Sequence, residues 1–248
     1  RGELHLSILI ETLRREGYEL QASRPEVIYR DVDGERCEPF ESVQIDTPEE
    51  YTGSIIDTLS KRKAEMKNME STGNNQSRLT FLAPSRGLIG YSTEFLSLTR
   101  GYGIMNHTFS KYLPVIKNWN PGRRNGALVS INQGKTTTYA TMGIEDRGTI
   151  FVDPGTDVYE GMIVGQNSRE NDISVNITKG KNMTNVRSSN KDLTATIKTP
   201  THLTLEESLE FLNSDEFCEI TPDHVRLRKR LLNTSAREKE SKKRKMNK

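Results

Sequence analysis

Apolar residues recur at two spacings along this chain, and the places where the spacing changes mark its organisation. Over residues 3–16, Leu6, Leu9, Ile10 and Leu13 fall at helical intervals, with Gly17 positioned to end the helix. Two short extended runs follow at 18–23 and 26–30, divided by Arg24-Pro25. Alternation sets in at Glu41, Val43 and Ile45 and runs into Thr47-Pro48-Glu49-Glu50. That tetrapeptide predicts a helix start, with Thr47 as cap, Pro48 at the first helical position and Glu50 closing a capping box. Tyr51, Ile55 and Leu59 then share one helical face. A strand over 65–71 and a turn at Gly73-Asn74-Asn75 lead into the alternating Leu79, Phe81 and Ala83. A second helix is predicted over 86–99, with Leu88, Tyr91, Phe95 and Leu98 on one face and Gly101 as its stop. A last strand covers 103–113. Strand, helix, strand, strand, helix, strand is the split βαβ, ferredoxin-like order.

Beyond it the pattern changes. Residues 115–126 (VIKNWNPGRRNG) read as a linker or exposed loop. From Ala127 onward, short strand-like runs rich in Thr and Val alternate with glycine turns, at 127–132, 136–144, 149–152, 162–166, 173–177 and 193–198. Thr204 and Glu207 form a capping box ahead of Leu205, Leu209 and Leu212. Val225, Leu227 and Leu231 keep a period of two, which favours a strand over 225–232. Residues 234–248 have no apolar periodicity and read as disordered or marginally helical. The expectation is an α+β chain in four parts. These are the C-terminal remnant of an α+β domain at 1–36, a ferredoxin-like βαββαβ domain at 37–114, a β-rich domain at 115–233 and a basic tail at 234–248. Arg1 already lies inside an amphipathic pattern, so the chain is expected to start partway through a longer protein.

Composition narrows the function classes. Hydrophobic residues are 33% of 248, which suits several small cores better than one large one. No apolar run approaches the roughly 18 residues of a membrane helix. Two cysteines, Cys37 and Cys218, rule out a disulfide framework and a Cys-rich zinc site, and the four histidines have no ligand spacing.

Charge adds a direction. The net charge is only +2, but residues 226–248, which include Arg228 and Arg230, carry 11 Lys/Arg against 2 Glu. Between Glu94 and Glu145 no acid occurs, while Arg100, Lys111, Lys117, Arg123, Arg124 and Lys135 do. A third basic stretch holds Lys179, Lys181, Arg187, Lys191 and Lys198 against Asp192 alone. Blocks of one sign point to a polyanion, most simply RNA or DNA; a solvated face is the plainer reading of any one of them.

Near-motifs for catalysis fail on their chemistry. Gly134-Lys135-Thr136 resembles the end of a phosphate-binding loop, but the glycine required five positions earlier is Val129, and 136–141 reads as strand where a helix is needed. Asp31-Val32-Asp33-Gly34 reads as a hairpin turn, and Asn190-Lys191-Asp192 lacks the guanine-reading spacing. His107, between Met105 and Phe109, reads as a packed or half-buried histidine. No nucleophile has an evident base partner. The richest segment is 178–191, TKGKNMTNVRSSNK. Its Lys179, Lys181, Arg187 and Lys191 suit phosphates, and its Asn182, Thr184, Asn185 and Ser188 suit phosphate, sugar and base edges. Trp119, beside Arg123 and Arg124, offers a stacking surface or else anchors the linker.

The opening RGELHLSILIETLRREGYEL with SRPEVIY resembles the end of domain III of ribosomal translocase-type GTPases. TPEEYTGSIIDTLSKRKAEMKNMES is similar to domain V of elongation factor G and its relatives. SRGLIGYSTEFLSLTRGYGIMNHTF, NPGRRNGALVS and TKGKNMTNVRSS resemble the BipA (TypA) branch, which differs from elongation factor G and LepA at the C-terminal end. The resemblance implies a translational GTPase of the bacterial cytoplasm, linked to stress and cold adaptation and to large-subunit assembly. It implies partners in the ribosome, namely large-subunit rRNA and proteins near the factor site, and A-site tRNA, reached through a loop matching 178–191. It places GTP and Mg in an N-terminal half not included here, so no cofactor, no catalysis and no membrane contact are expected of these residues, which should be monomeric. A free-standing RNA-binding or assembly protein is the rival class.

Overall fold

The computed structural model describes residues 3–73, 75–119, 121–180 and 198–246. The chain enters on helix α1 (Glu3–Arg15) and strand β1 (Leu20–Ser23). It divides into two compact units, Pro25–Pro121 and Arg1–Arg24 with Gly122–Lys248.

The Pro25–Pro121 unit contains β2 (Arg30–Val32), β3 (Glu35–Pro48), α2 (Glu49–Lys61), β4 (Glu65–Gly73), β5 (Gln76–Pro84), α3 (Ser85–Leu88), α4 (Tyr91–Leu98) and β6 (Ile104–Pro114). β3 pairs antiparallel with β6 on one edge and β5 on the other, and β4 pairs with β5. The order β6-β3-β5-β4 is that of a ferredoxin-like sheet. Alternate residues of β3 and β5 (Val43, Ile45, Leu79, Phe81, Ala83) meet Ile55 and Leu59 of α2 and Tyr91 and Phe95 of α4 in one buried cluster. Two local expectations change. β3 stays in its ladder as far as Pro48, opposite Gln76, so Thr47 remains a strand residue with a buried hydroxyl and α2 starts without a side-chain cap. The helix expected over 86–99 is two pieces, because Gly90 takes a left-handed conformation (φ 69°) between them.

The second unit contains β7 (Ala127–Ser130), β8 (Gly134–Lys135), α5 (Thr138–Met142), a 3-10 turn at Glu145–Arg147, β9 (Gly148–Ile150), β10 (Asp157–Val158), β11 (Ile163–Asn167), β12 (Ile173–Val175), α6 (Leu205–Phe211), β13 (Glu216–Ile220), β14 (Val225–Lys229) and α7 (Thr234–Met246). Its central sheet runs β12-β7-β11-β9, with β12 parallel to β7. All four residues of β7 are buried. Ala127 and Val129 face a core with Ile10, Leu212, Cys218, Ile220 and Leu227, while Leu128 faces another with Ile150, Val158, Val164 and Ile177. A strand covered on both faces reads as a continuous apolar run, which is why its alternation is silent.

Three corrections belong here. The boundary expected at 36/37 lies elsewhere. β1 joins β13, with Leu20 opposite Ile220 and Ala22 opposite Cys218, and Ile10 of α1 enters the same core. The first 24 residues thus fold with the C-terminal part of the chain. Residues 136–144 contain a helix in place of the expected strand, because the Thr137 side chain caps it by accepting from the Ala140 amide at 3.1 Å. The basic tail begins as a helix. Its first turn is fastened by Asn233, which accepts from the Ala236 amide at 3.1 Å, and by Glu160, which accepts from the Thr234 amide at 2.7 Å. Such anchoring supplies the nucleus that an isolated short helix lacks. Of the run expected at 193–198, residues 193–197 lie outside the described residues.

Candidate nucleic-acid interface

The basic residues expected to meet RNA divide into three groups by where the fold puts them. The first surrounds the start of α5. Thr137 joins it to the chain leaving β12. Its hydroxyl donates to the Lys179 carbonyl at 2.6 Å while accepting from Ala140, and its amide donates to the Ile177 carbonyl at 3.1 Å. The following 3-10 turn holds the other flank of residues 181–197. There Glu145 Oε2 accepts from the Lys198 amide at 2.9 Å. Lys179 and Lys198, both exposed, are therefore rooted on two consecutive short helical elements, α5 and the 3-10 turn, with exposed Lys135, Arg147 and Tyr139 on the same segment of chain. The patch is not purely cationic, since Asp146 is exposed and Asp157 lies opposite Lys135 in the β8–β10 pair. Lys181, Asn182, Thr184, Asn185, Arg187, Ser188 and Lys191 lie outside the described residues.

The second group is engaged inside the protein. Arg123 is held by Glu216 at 3.0 Å, by the Phe211 carbonyl at 2.7 Å and by the Asn125 carbonyl at 2.5 Å. It also lies over the Phe211 ring, 3.7 Å from the centroid. Glu216 is wholly buried, and Lys229, 3% exposed, meets it at 2.8 Å, Asp172 at 2.6 Å and Asp215 at 3.1 Å. Burial pulls the Lys229 pKa down, but the three carboxylates outweigh it and hold it above the ordinary lysine value. Arg228, on the other face of β14, pairs with Glu219 at 2.7 Å and lies over Phe217. Trp119 belongs with this group. Arg86 covers its ring at 4.6 Å and donates to its carbonyl at 2.7 Å, while also gripping buried Glu38 at 2.5 and 2.9 Å. At Gly87 a Cβ would meet the Arg62 carbonyl oxygen at 2.8 Å and the Trp119 ring at 3.0 Å, so glycine is required for the ring to seat. Trp119 and Arg123 thus anchor the segment expected to be an open linker.

The third group, Lys111, Lys117, Arg124 and Arg230, is exposed and scattered. His107 is more exposed than expected, with its Nδ1 2.5 Å from Glu41. Tyr139 and Arg147 are absent from the expected contact residues, because the threonine run 136–138 reads as strand and hides the helix beside them, while Lys198 is expected only as part of the third basic stretch. The burial of Lys229 is legible, since Val225, Leu227 and Lys229 share the inward parity of β14. Among the described residues, no cluster of three or more His, Cys, Asp or Glu has metal-binding geometry, and no helix is long and apolar enough to cross a membrane.

Comparison with known proteins follows the same division of the chain. A family model of the elongation factor G C-terminus matches residues 35–120, and one of the TypA/BipA C-terminal domain matches 125–234. The chain is 62% identical over 245 residues to the large ribosomal subunit assembly factor BipA of Bacillus subtilis. Over 99% of its length the chain matches part of a BipA (TypA) protein. The BipA proteins of Escherichia coli K12 and Haemophilus influenzae, which carry the same description, are each 46% identical, over 237 and 240 residues. The match takes in 99% of this chain and 40% of the Bacillus protein, and 96% and 39% for the other two, so the chain spans about two fifths of the length of these BipA relatives. A solved structure from Thermus thermophilus overlays on 34% of this chain and 12% of its own at 25% identity, with a TM-score of 0.32, too slight a likeness to support an argument.

Proposed function

We propose that this chain is the ribosome-binding C-terminal part of a BipA-type translational GTPase that acts in large-subunit assembly in the bacterial cytoplasm, with a link to stress and cold adaptation. In this reading it binds large-subunit rRNA and A-site tRNA as a monomer, and GTP and Mg are handled by residues outside it. The observation that carries the reading is the rooting of Lys179 and Lys198 on the α5 segment beside exposed Lys135, Arg147 and Tyr139. Cations at such a root neutralise phosphates, and the polar side chains of 181–191 supply donors to sugar and base edges. The relatives' shared description as large ribosomal subunit assembly factors supports the choice of ribosome over other polyanions.

The test is co-sedimentation of the 248 residues with isolated large ribosomal subunits across a salt series. Binding is expected, falling by about a hundredfold or more between 50 and 200 mM salt if roughly four to six phosphates are neutralised. Replacing Lys179, Lys181 and Arg187 together by Ala should flatten the salt dependence, with melting almost unchanged. Full binding by the triple variant would remove this segment from the interface. Micromolar GTP binding by the chain in calorimetry would contradict the division of labour.

A further inference from the structure

The exposed end of the ferredoxin-like sheet carries a row of π-systems apart from the α5 segment that roots Lys179 and Lys198. Residues three apart on a regular strand point to opposite faces. In β6, however, a bulge lies between the pairs Phe40↔Lys111 and Glu41↔Phe109, leaving Ser110 unpaired in the ladder. The extra residue turns Phe109 and Tyr112 to the same face, where their rings pack with centroids 5.4 Å apart. Arg30 of β2, opposite Cys37, reaches across β3 and lies 4.9 Å from the Tyr112 centroid. His107 continues the row beyond Phe109, with its ring tied to Glu41. Phe109 is 59% exposed despite its ring partner. On the opposite face of the β2–β3 ribbon, Arg36 covers Tyr29 at 4.3 Å. The central strands do not offer such a surface. On the face that Phe109 and His107 share with their partners Glu41 and Val43, β3 and β5 pack their side chains against α2 and α4.

We propose that Arg30, Tyr112 and Phe109 form a stacking site for unpaired RNA bases, with the guanidinium at one end meeting the adjoining phosphate. Flat rings in a row beside a cation complement single-stranded nucleic acid, because every base presents a π-face and every nucleotide a negative charge. A double helix keeps its bases stacked on one another and cannot use the row. A purely apolar partner gains nothing from Arg30. The inference rests on the reading of this chain as an RNA binder but uses residues of the Pro25–Pro121 unit, and neither Lys135 nor Lys179.

The experiment is fluorescence anisotropy of the whole chain with a labelled oligo(A) of about 12 nucleotides, within the usual span of single-strand sites, alone and annealed to its complement. Wild type is compared with Phe109→Leu, Phe109→Tyr and Lys135→Ala/Lys179→Ala. Single-stranded oligo(A) should bind more tightly than the duplex. Phe109→Leu keeps the apolar bulk without the ring, so it should weaken oligo(A) binding about tenfold at unchanged salt slope, and Phe109→Tyr should restore it. The double lysine variant should instead flatten the salt slope. Equal binding by Phe109→Leu and wild type, or no preference for single strand, overturns the stacking site. If those results coincide with wild-type sedimentation on ribosomal subunits, the ribosome-binding reading survives. Loss of subunit binding as well would sink both.

Discussion

Each unit holds a buried arginine–glutamate pair that fastens part of residues 115–126, and the two pairs are built differently. In the ferredoxin-like unit Glu38 has Arg86 as its cation and also accepts from the Ile116 amide at 2.8 Å, and Arg86 completes its hydrogen bonding on the carbonyls of Ile116 and Trp119. In the other unit Glu216 is shared by Arg123 and Lys229, and Lys229 reaches two further carboxylates, Asp172 and Asp215, each 41% exposed. A closed pair surrounded by backbone depends on its own geometry, whereas the network relays part of its charge to the surface. Removing one member should therefore cost most where the greatest buried charge is left behind.

The largest effect is expected for Glu216→Ala, which takes the wholly buried carboxylate from two cations at once, Arg123 and Lys229. Urea unfolding should lose about 3–5 kcal/mol. Glu38→Ala should cost less, roughly 2–3 kcal/mol, because only one cation, Arg86, loses its carboxylate. Equal losses would mean that sharing Glu216 brings no extra dependence on it. Lys229 gives the comparison a pH axis. Its folded pKa is raised, so its contribution is complete below the unfolded value of about 10.4 and disappears as pH rises through the folded value. Thermal melts should hold level to about pH 10 and fall above it, and Lys229→Met should start lower and show less of that alkaline fall. Smallest in stability is Lys135→Ala with Lys179→Ala, within about 0.5 kcal/mol each. Their RNA salt slope should nevertheless flatten by about 0.7–0.9 for each phosphate no longer neutralised. A marked drop in melting temperature would show these lysines to be structural.

How much the sequence revealed depended on which faces each element buries. The ferredoxin-like order was legible because β3 and β5 bury one face each and alternate cleanly. α6 was legible because its capping box is a local interaction, with both hydrogen bonds between Thr204 and Glu207 present. The place of α1 and β1 was not, because their partners, β13 and Leu212, lie about 200 residues away and no local pattern encodes that pairing. The helix at Thr138–Met142 was hidden by β-branched threonines whose preference is overridden by one capping hydroxyl. Arg123 looked free, and Trp119 stayed open between stacking and anchoring, because an arginine beside an aromatic has the same letters whether it faces RNA or a buried carboxylate.

The four residues of β7 have a consequence for how the second unit comes apart. One strand is the common wall of two cores, with Val129 turned to one and Leu128 to the other. Neither core can be exposed without opening the wall they share. The two should melt as a single cooperative block, and the β7 amides should be among the last in the unit to exchange their hydrogens with solvent.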